Sequence, residues 1–157
     1  MNFVAGILIV IACTYIGIGI DGYYKAKIAV LNEFVDFIGF ACAEISFMKT
    51  GIADLLAKYA SKGTKLSEAL AGIKNPNELQ FGMQTLVCLT VSEKQLITDF
   101  IKGIATLDNS SQKAFAEQCK VRLTEYLGNL AKQRGAKGML AKKLAPLVGL
   151  GIMIIIL

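Results

Sequence analysis

The chain has 157 residues, enough for one domain; 54% are apolar and only 18% are charged, below the ~25% charge usual for soluble domains. Its net charge of +5 is modest for a nucleic-acid binder, it has no tryptophan, and its Tyr and Phe residues mostly fall at core spacing, so nucleic acid is not an expected partner. With no histidine the usual general base and triads are excluded, and four scattered cysteines without a Cys-x-x-Cys pair make a zinc site unexpected.

The charge deficit sits at the ends. All 17 Lys and Arg lie between Lys25 and Lys143, and all 12 acids between Asp21 and Glu125. The first twenty residues, Met1 to Ile20, carry no charge, and ~20 apolar residues suffice for a helix to cross a ~30 Å hydrocarbon core. A transmembrane helix over 1–22 is the expectation, with a removed targeting signal as its rival. Val10-Ile11-Ala12-Cys13 is similar to a bacterial lipoprotein cleavage box, which would lipidate Cys13 and export a helical binding protein. Against that reading, no base precedes the apolar run and the run continues beyond Cys13.

Residues 23–143 read as one helical bundle on one side of the membrane. Ile28, Leu31, Phe34, Val35, Ile38, Cys42, Ile45 and Met48 recur at helical spacing, with no proline separating them from the first span. Ile52, Leu55, Leu56 and Tyr59 form a second face that ends near Lys62-Gly63, and a short helix surrounds Leu66, Ala69 and Leu70. Asn75-Pro76-Asn77-Glu78 has the composition of a helix start, continued by Leu79, Met83, Leu86 and Val87. Thr90 with Glu93, or Ser92 with Gln95, opens a helix carrying Leu96, Phe100, Ile104 and Leu107. Asn109 with Gln112 opens the last, which carries Phe115, Cys119, Leu123, Tyr126 and Leu130, with Gly135 and Gly138 loosening its end. No alternating strand pattern is present, so the expected fold is all-α, with about six helices in the bundle.

Residues 144–157 form a second apolar end. These fourteen residues reach ~21 Å as a helix, less than a full core, so a short span needs snorkelling lysines or a thinned bilayer, and a partly inserted helix is its rival. Pro146 predicts a kink there. Ala145 and Gly149 stand four apart, as do Cys13 and Gly17, and small residues so spaced let membrane helices approach closely. Lys25 and Lys27 flank the first span, and Lys137, Lys142 and Lys143 precede the second. Five bases and no acid between Tyr126 and Lys143 place the bundle on the cytoplasmic side.

No catalytic constellation or phosphate loop stands out, and no cofactor is expected. Ser110-Ser111 is explained by capping. Cys13, Cys42, Cys88 and Cys119 read as free buried thiols in a reducing compartment. Glu44 lies among apolar neighbours; it could serve a function, pair with a base or face solvent.

Four short patterns occur in order along the chain: Gly6-x-Leu8-Ile9-x-Ile11-Ala12-x-Thr14-x-Ile16-Gly17, then Glu44-Ile45-x-Phe47-x-x-Thr50-x-Ile52, then Asp108-x-x-x-Gln112, and last Leu144-Ala145-x-Leu147-x-Gly149-Leu150. Together they resemble the stage III sporulation protein AB family of endospore-forming bacteria, itself similar to the cytoplasmic domains of type II secretion F platform proteins. The resemblance implies a non-enzymatic platform in the mother-cell membrane facing the forespore. This platform would couple a secretion-type ATPase in the cytoplasm to the other membrane proteins of a channel complex, with assembly as a homo-oligomer left open. It also points to Glu44, Thr50, Asp108 and Gln112 as partner contacts, against the simpler reading of Thr50, Asp108 and Gln112 as turn and cap residues.

Overall fold

The computed structural model describes residues 2–48, 52–71, 73, 79–107 and 109–156. Helix α1 (Asn2–Met48) is followed by α2 (Ile52–Ala60), α3 (Lys65–Leu70), α4 (Leu79–Gln84), α5 (Val91–Thr106) and α6 (Asn109–Gln133). A π-helical turn (Arg134–Gly138) then carries the chain directly into α7 (Met139–Ile156). No strand occurs among the described residues. The all-α expectation is met, and α1 does run unbroken out of the first apolar stretch. The chain divides into two compact units: residues 29–127, and a pairing of 1–28 with 128–157.

The unit of residues 29–127 is a helical bundle. Its part of α1 buries Val30, Leu31, Phe34, Phe37, Ile38, Ala41 and Ile45, an arc wider than the single stripe read from spacing. The cause is packing against more than one helix. Phe37 meets Tyr59 of α2 edge-on at 4.8 Å, and Phe34 meets Phe100 of α5 edge-on at 5.4 Å. Phe100 in turn stacks on Phe115 of α6 at 5.9 Å. Such ring pairs add about 0.5–1.5 kcal/mol beyond area burial.

Short helices need their ends satisfied, and here side chains do it. Thr64 caps α3, its hydroxyl accepting from Ser67 N–H while its own N–H donates to Ser67 Oγ. Glu33 of α1 accepts from Leu66 N–H at 2.8 Å, and the Tyr59 hydroxyl donates to the Glu33 carbonyl at 2.8 Å. Two of the loose α3 donors are thereby closed, one by Thr64 three residues away and one by Glu33, 33 residues away in sequence. Gly63 sits at φ +66° between α2 and α3, a left-handed position that glycine accepts without strain.

Several residues depart from the spacing-based reading. Helix α4 stops at Gln84, so Val87 lies beyond it and is 83% exposed. The Thr85 hydroxyl donates to the Gly82 carbonyl, and Val87 N–H turns back to Thr85 O, local bonds that compete with continued helix. In α5 the buried face is Ile97, Phe100, Ile101 and Ile104, leaving Leu96 and Leu107 partly exposed. The Asn75 to Glu78 start signal lies outside the described residues.

Candidate functional site

In the unit formed by residues 1–28 and 128–157, two helical segments pair antiparallel. Glycines and alanines set their spacing. A Cβ built on Gly6 would lie 2.6 Å from Met153 Cγ, one on Gly149 2.9 Å from Val10 Cα, and one on Gly17 2.7 Å from Ala145 Cβ and 2.9 Å from Ala141 O. As residue numbers rise on one helix, those of the facing residues fall on the other. Cys13 and Gly17 on one side and Ala145 and Gly149 on the other, paired only by spacing in the sequence, meet across this seam.

The register explains how so short a tail can match the first stretch. The Gly17 position lies 3.2 Å from Lys142 Cα, so Lys142 stands level with Gly17, about 6 Å along the axis from Asp21. Helix α7 begins at Met139, ahead of both lysines and of the apolar tail read from Leu144, and its 18 residues extend ~27 Å. It runs through Pro146 as one helix. Among the described residues, two helices are long and apolar enough to cross a membrane, and only 11% of each apolar window is buried.

Among the described residues, seventeen large apolar side chains of this unit are exposed, Leu8, Tyr15, Ile16, Leu147, Ile154 and Ile155 among them. Half-exposing a large aliphatic group forgoes roughly 1 kcal/mol, so together they leave on the order of 10 kcal/mol unrealised in water. That approaches the whole stability of an ordinary domain, ~5–15 kcal/mol.

The π-helical turn closes one end of the pair. Arg134 Nε donates to Asp21 Oδ1 at 3.1 Å, with the two side chains 32% and 16% exposed. Gly138 is buried, and a Cβ there would sit 3.4 Å from the same Asp21 oxygen. Gly135 and Gly138 therefore fall in a widened turn rather than a break.

Charge divides sharply between the units. Residues 1–28 and 128–157 carry Lys25, Lys27, Lys132, Arg134, Lys137, Lys142 and Lys143 against the one acid Asp21, while residues 29–127 hold 11 acids and ten bases. Lys25, Lys137, Lys142 and Lys143 are exposed. Lys27 is only 7% exposed, its ammonium 5.7 Å from the centre of the Tyr23 ring, within cation–π range.

Of the residues picked as partner contacts, Glu44 accepts from Lys58 of α2 at 2.7 Å; pairing with a base is the alternative observed. Gln112 is half-buried and its amide donates to the Ile104 carbonyl at 2.7 Å, closing the end of α5. Thr50 and Asp108 lie outside the described residues. Glu44 and Gln112 thus each tie a different pair of helices.

Sequence reasoning saw Glu93 only as a helix start, and the structure gives it more. Glu93 is 6% exposed; one oxygen accepts from Thr90 N–H and hydroxyl, both at 2.8 Å, and the other from the Tyr126 hydroxyl at 2.6 Å. Leu31, Ser92, Leu96 and Leu123 join these residues around a cavity of about 280 Å³. The Thr90-to-Glu93 spacing was the readable part; Tyr126 lies 33 residues on. All four cysteines are free and half-buried. Desolvation pushes the Cys42 thiol up, with Glu117 adding and Lys120 and Lys113 opposing, and pushes Cys119 up against Arg122. Raised thiols are weak nucleophiles at neutral pH.

The family model described as stage III sporulation protein AB matches residues 2–157. No curated protein and no solved structure matches the chain.

Proposed function

The chain belongs to the stage III sporulation protein AB family, and on that premise we propose that it is a non-enzymatic membrane platform of a sporulation channel complex. The observation that carries this reading is the apolar helix pair, whose outward Ile and Leu side chains need a non-aqueous cover. In the bilayer, Met1 to Ile20 and α7 form a two-span hairpin in the mother-cell membrane facing the forespore. The seven bases of the hairpin unit favour the cytoplasm for the charged end of the pair, and the bundle of residues 29–127 belongs to that side. There it links a secretion-type ATPase to the other membrane proteins of the channel.

One feature supports a scaffold: polar and charged side chains of the bundle close helix ends and bridge helices, as Glu33, Glu44, Glu93 and Gln112 do. The test is a pulldown of the full chain from detergent-solubilised sporulating cells. Recovery of the ATPase and other channel proteins is expected; their absence under conditions that recover known partners removes the platform reading. Metabolic labelling with palmitate checks the anchor. Cleavage before Cys13 would strip Gly6 and Val10 from the seam they make with Met153 and Gly149, so an unlabelled, full-length protein is expected.

A further inference from the structure

Beside the seam of the helix pair runs a groove of about 250 Å³, lined by Ile16, Gly17 and Ile20 on one helix and Leu144, Ala145 and Val148 on the other. Gly17 and Ala145 form its floor because neither has a side chain long enough to fill it. The rims are partly exposed: Ile16 is 64% exposed and Val148 56%. Nothing in the lining can hydrogen-bond a polar occupant through its side chain apart from the weak thiol of Cys13. Lys142 and Lys143, both exposed, stand at the depth of the groove. Their stems are long enough to lift the ammonium groups toward the headgroup layer.

We propose that this groove binds one anionic phospholipid, with an acyl chain in the groove and the phosphate on Lys142 and Lys143. The proposal rests on the membrane reading above. Charge decides among possible occupants. A second copy of the hairpin would bring a like-charged set of seven bases against the first, whose one acid, Asp21, is already paired with Arg134. An anionic lipid offers the apolar chain the groove lacks and the negative charge the lysines lack. A lysine near an anionic surface contributes ~1 kcal/mol, about a fivefold preference, and these two act at one place.

The chain contains no tryptophan, so a single introduced indole reports only its own surroundings. Ile16→Trp places it on the groove rim. Ile18→Trp, at an exposed residue two positions on, places it at nearly the same depth on another side of the helix. Each full-length variant goes into phosphatidylcholine vesicles in which a small fraction of either phosphatidylglycerol or phosphatidylcholine carries brominated acyl chains, which quench indole on contact. At the groove rim, the brominated anionic lipid should show an apparent affinity about 25-fold that of the neutral one. The preference should vanish when Lys142→Gln and Lys143→Gln are added, and Ile18→Trp should show little preference throughout. Equal preference at both positions means diffuse attraction and overturns the site. An Ile16→Trp indole shielded from both lipids, while Ile18→Trp is quenched, means protein covers the groove and also overturns it. If neither indole is quenched by any lipid, the membrane reading itself falls; the first two failures leave it standing.

Discussion

Gly17→Ala is the sharpest test of the helix pair, because two effects of known sign compete at one position. Alanine in a helix interior is favoured over glycine by about 1 kcal/mol. Against this, the added methyl would lie 2.7 Å from Ala145 Cβ and 2.9 Å from Ala141 O, where ordinary contacts are about 3.5–4.0 Å. The neighbours are backbone and a β-carbon, with no flexible end to swing aside, so the helices themselves must part. Overpacking of this kind costs about 1–3 kcal/mol. Subtracting the propensity gain leaves a net loss of up to about 2 kcal/mol, equivalent to a fall in Tm of up to roughly 6 °C for a chain of this size. Gly19→Ala is the matched control, since nothing stands within 4 Å of its Cβ position; only the propensity gain acts, and its Tm should hold or rise. Thermal unfolding of the purified full chain in mild detergent, followed by circular dichroism, reads both. If the two variants shift alike, the close seam at Gly17 is wrong.

A reporter fused after Leu157 should act outside the cytoplasm, while Cys42, Cys88 and Cys119 stay protected from impermeant thiol reagents in intact cells; a cytoplasmic reporter would mean that α7 does not cross. Asp21→Asn should lower stability by about 1–2 kcal/mol, the range of a charge-assisted bond in a partly exposed setting, and the exchange Asp21→Arg with Arg134→Asp should recover part of it if the contact matters as a pair. Glu93→Gln keeps the shape but removes the charge that accepts from Thr90 and Tyr126, with an expected loss of about 1–2 kcal/mol. In a cycle with Tyr126→Phe the two losses should fall short of additive; strict additivity would show that the 2.6 Å contact carries no coupling. Desolvation raises the Tyr59 phenol above its ordinary value of 10.0, with Glu33 and Asp36 adding and the Thr64 hydrogen bond opposing. Ionisation is thus easier in the unfolded chain, so this contribution is intact below pH ~10 and is lost as pH rises through the folded value; Tyr59→Phe should flatten that alkaline loss in a pH series of unfolding curves.

What could be read from the sequence was what depends on neighbours in sequence. The apolar ends, the run of α1 without a break, the Leu55–Leu56–Tyr59 face and the Thr90–Glu93 start are all patterns within one or two helical turns. Contacts that join distant residues were hidden. Glu44 and Lys58 are 14 residues apart, and Arg134 and Asp21 are 113 apart; neither spacing carries a signal. Gly17 and Ala145 were visible only as small residues at a spacing common in apolar helices, until the register set one against the other. Val87 misled for the opposite reason: its place in the apolar pattern was right, but Thr85 turned the chain before the pattern could continue. Phe37 was missed because α1 packs on both α2 and α5, burying an arc that a single-stripe reading leaves out.

The division of charge changes how the basic excess is understood. Taken over the whole chain, +5 is a mild bias. Taken by unit, the bundle of residues 29–127 is close to neutral, and the excess belongs to the 1–28 and 128–157 pair. A bundle with balanced charge has little long-range pull toward an anionic membrane and little repulsion from its own copies. Orientation and lipid attraction can then be set by the hairpin alone. The one acid in that unit, Asp21, is paired with Arg134, so it does not dilute the field of Lys137, Lys142 and Lys143. Neutralising those three lysines should therefore act on insertion and topology while leaving the folding of the bundle unchanged, and adding the same number of acids to exposed positions of the bundle should leave insertion, topology and folding alike unchanged.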